Sequence, residues 1–235
     1  MEFPTWLTRK PLHGSTPIRT PSFPGLLHLN SEQAKRFGGT EFDNVTSALF
    51  VIDVMARKLA RRRKNFNHQV VADAVSKTIE KMQTEVNNEI LRLETFLKKE
   101  GISQRPSYSN PLERKFNISS PEVMRLTHLL QTFDTLISLI DTAWLAQKLD
   151  SDEASDFRER KTNDMRKMVK ALIKHGAAAR AMAYANNEVE VQKDIEKVEA
   201  QVAADKQERE AAGFVEPAGA EEDVAEVVEA AESAA

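Results

Sequence analysis

Apolar and polar positions alternate once, briefly, before a helical rhythm takes over the chain. In Gly25-Leu26-Leu27-His28-Leu29-Asn30, an extended backbone puts Leu27 and Leu29 on one side and His28 and Asn30 on the other. Ser31 then caps a short helix over 31–37 with Ala34 and Phe37 apolar, and Gly38-Gly39 breaks it. Val45, Ala48, Leu49, Ile52, Met55, Ala56 and Leu59 recur at steps of three and four, which predicts a helix over 43–64 capped by Asp43 or Thr40. Val71, Val75, Ile79, Met82, Val86, Ile90, Leu93 and Leu97 keep a near-heptad seam along a helix over 68–99.

Residues 101–120 contain Pro106 and Pro111 and read as a long loop, either linker or crossover, with a second brief extended piece at Phe116 and Ile118. Ser119-Ser120-Pro121-Glu122 is a strong helix start. The helix it opens, 121–149, carries so wide an apolar stripe that it becomes the central core element. Ser151 caps a further helix over 152–175, stopped by Gly176, and residues 177–185 and 188–211 continue as helices. Prolines 4, 11, 17, 21 and 24 make residues 1–24 an extended arm, and the Ala/Glu-rich stretch 213–235 has too little to bury and reads as disordered. The division is an arm over 1–24, a strand-and-helix region over 25–66, a helical bundle over 67–212 and an acidic tail over 213–235.

A lone strand leaves its N–H and C=O groups without partners. It docks on its own chain, or it pairs with a second copy into a two-stranded ribbon of the size that enters a DNA major groove. In the second case His28 and Asn30 face the bases, asparagine suiting adenine and histidine donating to guanine.

Charge sharpens this choice. The net charge of −3 hides ten acids and two bases over 201–235, which leaves 31 bases and 26 acids, a net +5, over 1–200. Arg57, Lys58, Arg61, Arg62, Arg63 and Lys64 crowd one helix end, where they suit phosphates; a solvated helix end is the commoner explanation of such a run. The acidic tail either solubilises the chain or competes with a polyanion.

Catalytic signals are missing. There is no cysteine, no phosphate-binding glycine loop and no histidine pair at metal spacing. Asp134 and Asp141 share a helix face, but such acids more often cap a neighbouring helix or pair with a base at the core edge. The expectation is no enzyme and no cofactor. No apolar run approaches a membrane span, and with no secretory layout at Met1–Trp6 the expected location is cytoplasmic.

The segment from Leu26 to Asn30, with Ala34, Arg36-Phe37 and Gly38 after it, resembles the opening segment of the AcaB-like regulators of conjugative plasmids and integrative conjugative elements. Leu129-Leu130-Gln131-Thr132-Phe133-Asp134-Thr135-Leu136-Ile137, then Thr142-Ala143-Trp144, resembles that family's second block, with Arg166 as the arginine on the helix after it. The likeness spans about 26–170. The family's Asp-Asp-Pro-Tyr-Ala-Asp run is replaced here by Asn65-Phe66-Asn67-His68-Gln69-Val70-Val71-Ala72-Asp73.

The resemblance implies a mainly α, obligately dimeric ribbon-helix-helix protein on a larger helical bundle, binding double-stranded DNA and activating transfer genes. The bundle is larger than such a module needs, and either stabilises the dimer or touches RNA polymerase. It places His28 and Asn30 on the ribbon and Arg19, Lys35, Arg36 and Thr40 on the flanking backbone; Arg61, Arg62 and Arg63 add phosphate contacts. The alternative function is a helical adaptor or structural protein that binds a partner helix through the 71–97 seam.

Overall fold

The computed structural model describes residues 23–62, 68–118, 120–185, 189–211 and 213. In chain order the elements are β1 (Phe23–Leu29), α1 (Glu32–Lys35), a 3-10 turn (Arg36–Gly38), α2 (Thr40–Arg62), α3 (His68–Lys99), β2 (Leu112–Ile118), α4 (Pro121–Leu145), α5 (Ser151–Ala185) and α6 (Val189–Ala211).

Helix α4 is the axis. Val123, Leu126, Leu129, Leu130, Phe133, Leu136, Ile137, Leu139, Ile140 and Ala143 are all buried, so most of the helix circumference is covered and only a stripe through Met124, His128 and Thr135 faces out. Its start follows from local chemistry: the Ser120 hydroxyl accepts from the Val123 amide at 3.3 Å, and Pro121 occupies the first turn. The α3 seam of Val75, Ile79, Met82, Val86, Leu93 and Leu97 is buried in the same core. That seam is committed within the chain, which removes the motive for reading it as a docking face for a partner helix. Phe50, Val51, Val54 and Met55 of α2, with Ala183, Val191 and Ile195, form a smaller cluster under α6.

Helix α5 runs through Gly176, where the sequence predicts a stop, on to Ala185. Glycine is there for close packing: a Cβ on Gly176 would lie 2.3 Å from the Ala48 Cβ and 2.6 Å from its Cα. The α2 and α5 backbones therefore cross in near contact. Gly176→Ala must push them apart, and equilibrium urea unfolding should show a loss of about 1–3 kcal/mol typical of overpacking. An unchanged midpoint would mean that the crossing opens freely. The start of α5 also shifts by a residue: Asp150, not Ser151, accepts from the Glu153 amide at 2.7 Å, and the Glu153 carboxylate accepts from the Asp150 amide at 3.1 Å.

The strand does not wait for a second molecule. β1 pairs antiparallel with β2 of the same chain over its full length, from Phe23 opposite Ile118 to Leu29 opposite Leu112. The expected ribbon of strands from two copies is corrected on this point: the ribbon is intramolecular. The physical reason lies in β2, read from sequence as little more than a brief extended piece. It brings Leu112, Phe116 and Ile118 to the same face as Leu27 and Leu29, and both strands cover the core together. Fully burying Leu27 and Leu29 contributes about 1.5–3 kcal/mol each. Gly25 permits the fit, since a Cβ there would come within 2.6 Å of the Phe116 ring opposite it.

Candidate nucleic-acid interface

The ribbon presents two faces. Inward lie Leu27, Leu29, Leu112, Arg114, Phe116 and Ile118. Outward lie the cross-strand pairs His28–Glu113, Leu26–Lys115 and Pro24–Asn117. Glu113, Lys115 and Asn117 are exposed, and the His28 ring is half-exposed with its Nδ1 3.3 Å from a Glu113 carboxylate oxygen. The outward row thus offers a cation, an amide, an imidazole and a carboxylate within the length of two seven-residue strands.

Two buried ionic groups fix this ribbon to the body. Asp134, on α4, accepts four hydrogen bonds: from the Asn30 amide at 3.0 Å and its side-chain Nδ2 at 2.9 Å, and from the Ser31 amide and hydroxyl at 2.7 Å each. The Ser31 hydroxyl also accepts from the Ala34 amide and so caps α1, as the sequence predicts. One carboxylate therefore holds the end of β1 and the start of α1 at a fixed place on α4. On the other strand Arg114, 6% exposed, donates to the carbonyls of Gly38 at 2.7 Å and Gly39 at 2.9 Å and to the Asp43 carboxylate. Its guanidinium lies 4.9 Å from the centroid of the Phe42 ring, which meets Phe116 edge-on at 5.0 Å. Asp43 also accepts from Arg209 near the end of α6, so the same carboxylate ties β2, α2 and α6 together.

The residues expected at an interface divide into four groups. His28, Lys35, Arg36 and Thr40 lie on or next to the ribbon base: His28 faces outward, Arg36 is exposed, Lys35 pairs with Glu32 at 2.8 Å and Thr40 opens α2. Asn30 sits beside them but turns inward, its amide bound to Asp134, so it positions the strand end. Arg61 and Arg62 end α2, whose 23 residues span about 34 Å, while the ribbon rests on its first turns; the basic cluster is thus at the far end from the ribbon. Arg19 and Arg63 lie outside the described residues. Lys115 and Asn117 were not foreseen. The alternation of Leu112 to Ile118 carries a signal for them, interrupted by a charged residue at the inward position 114.

The two acids on α4 both have structural partners. Asp141 accepts from the Tyr108 hydroxyl at 2.7 Å and from Arg158 at 2.6 Å. Burial, and then the neighbouring Asp141 carboxylate, push the Tyr108 phenol well above its ordinary value and keep it a donor. Among the described residues no three metal-ligating side chains come together, and no helix is long and apolar enough to cross a membrane.

Among the described residues the architecture is mainly helical, with a two-stranded antiparallel ribbon pinned to the central helix. No family model matches the sequence, and no curated protein matches it. Among solved structures it is similar to AcaB from uropathogenic E. coli, crystallised in selenomethionine form, with a TM-score of 0.69 and 25% identity over 89% of this chain and 98% of that one. The resemblance to the AcaB-like proteins drawn from the sequence segments extends to nearly the whole fold.

Proposed function

We propose that this chain is a sequence-specific DNA-binding regulator of conjugative elements that activates transfer genes as a homodimer. The observation that carries the reading is the outward row of the ribbon, Glu113, Lys115, Asn117 and His28, in a chain with the fold of AcaB. A two-stranded ribbon matches the width of the major groove, about 12 Å. There Lys115 suits guanine O6 and N7, Asn117 suits adenine, and Glu113 suits the cytosine amino group. Each protomer contributes a complete ribbon in this reading, and Lys35, Arg36 and Thr40 flank it towards the phosphates. Arg61 and Arg62, at the opposite end of α2, and Arg63 after them in the sequence add affinity without sequence preference only where the duplex or the second protomer reaches them. The bundle is left to hold the dimer and to meet RNA polymerase.

Fluorescence anisotropy on duplexes from the chain's own promoter region, at two salt concentrations, tests this. The triple variant His28→Ala, Lys115→Ala, Asn117→Ala should keep its circular dichroism and lose specific binding by at least 100-fold, since each good base contact contributes about 1–3 kcal/mol. Replacing Arg61, Arg62 and Arg63 together should weaken all duplexes alike and flatten the salt dependence. If the ribbon triple variant protects the same operator with unchanged affinity, the ribbon does not read DNA.

A further inference from the structure

An open groove of about 750 Å³ runs between the ribbon and the last turns of α6. Its two walls differ in charge. The α6 wall carries Asp205 and Glu208. The ribbon wall carries Lys115 and Glu113, with Leu26, itself half-exposed, and Phe116 as apolar lining. Of the other ionic groups along the groove, Arg114 and Arg209 are held by Asp43, and Glu113 lies 3.3 Å from the His28 ring.

Gly213 lines this groove, and the chain continues from it. At Gly213 φ is +81°, the left-handed conformation that ends a helix and turns the chain aside. The Arg209–Asp43 bond fixes that exit point against the body. Beyond it come Phe214-Val215 and then a segment with seven carboxylates, Glu216, Glu221, Glu222, Asp223, Glu226, Glu229 and Glu232, and no Lys or Arg up to Ala235.

We infer that segment 214–235 docks in this groove, its apolar start over Leu26 and Phe116 and its carboxylates on the Lys115 side of the ribbon, where it competes with any other polyanion. Like charge on Asp205 and Glu208 disfavours the α6 wall, and Lys115 favours the opposite one. Length is no obstacle: 22 residues reach about 70 Å when extended, and seven ribbon residues span only about 24 Å. Tethering supplies the remainder, because a short flexible connection gives an effective concentration in the millimolar range. An intrinsic affinity too weak to matter between separate molecules is then enough. The docking itself stands on the groove and the charges; its consequence for DNA rests on the function proposed above.

The chain has no cysteine, so Ala225→Cys accepts a single spin label in the full-length protein. Paramagnetic broadening of the backbone amides of 25–26 and 113–117 is then compared between the native segment and one with its seven acids changed to Gln or Asn, in dilute and in about 0.5 M salt. Docking predicts stronger broadening with the native segment in dilute buffer, lost in salt, on neutralisation, and in Lys115→Glu. Equal broadening in native and neutral segments, the level of an unattached coil, overturns the inference. Separately, neutralisation should tighten binding to a random-sequence duplex by about 2–10-fold, the range a millimolar competitor gives. If the label reports docking and neither form binds any duplex, the DNA function fails and the docking survives; if both bind duplex equally and broadening is equal, the docking fails and the DNA function survives.

Discussion

Asp134→Ala is expected to destabilise the protein by about 3–5 kcal/mol, and the loss should appear as an earlier urea midpoint by circular dichroism. The magnitude comes from the groups left behind. The carboxylate is 5% exposed and satisfies two backbone amides, one side-chain amide and one hydroxyl. Alanine removes the acceptor and leaves these donors where water reaches poorly, and an orphaned buried donor costs about 1–3 kcal/mol. Asp134→Asn should recover only part of the loss, because its amino group turns a donor towards donors. An apolar replacement of similar size should do no better, since the Asn30 and Ser31 amides remain. A loss below about 1 kcal/mol would mean that the junction of β1 and α1 is held by packing alone. Asn30→Ala belongs to the same test: a fall in stability in place of a selective loss of DNA affinity assigns it to positioning.

Arg114→Ala is the second large effect, about 3–4 kcal/mol by the same measurement. Its guanidinium serves two glycine carbonyls and Asp43 at once and stacks over Phe42, so one substitution strips four contacts from a buried site. Arg114→Lys should not rescue it, because an ammonium lacks the planar fork that reaches several acceptors together. A double-mutant cycle with Asp43→Ala isolates the pair. Coupling above about 1 kcal/mol is expected; additive losses would show that Arg114 acts through the carbonyls and the ring alone. Asp43→Ala by itself should also release α6, since Arg209 loses the same carboxylate.

Both residues show how far the sequence could be read. Asp134 stands out as an acid in an apolar helix, and the general expectation that such acids cap a neighbouring helix is met: the neighbour is α1, more than a hundred residues earlier. The donors could not be named in advance, because nothing local in the chain pairs positions 30 and 134. Arg114 misleads for a related reason. It places a charge where alternation calls for an apolar residue, and only the carbonyls of Gly38 and Gly39 and the carboxylate of Asp43 make that position tolerable. With the alternation broken, β2 reads as loop, and β1 is left in need of a second molecule.

Helix content, most helix boundaries and the caps at Ser31 and Ser120 were determined by the sequence itself, because periodicity and capping act within a few residues. The apolar face of β1 was settled there too, at Leu27 and Leu29. Tertiary structure alone decided the partner of that strand, the passage of α5 through Gly176 against Ala48, the inward turn of Asn30 and the distance of Arg61 and Arg62 from the ribbon. Each of these depends on two segments meeting that lie far apart in the chain, and a meeting of that kind leaves no periodic trace in either one.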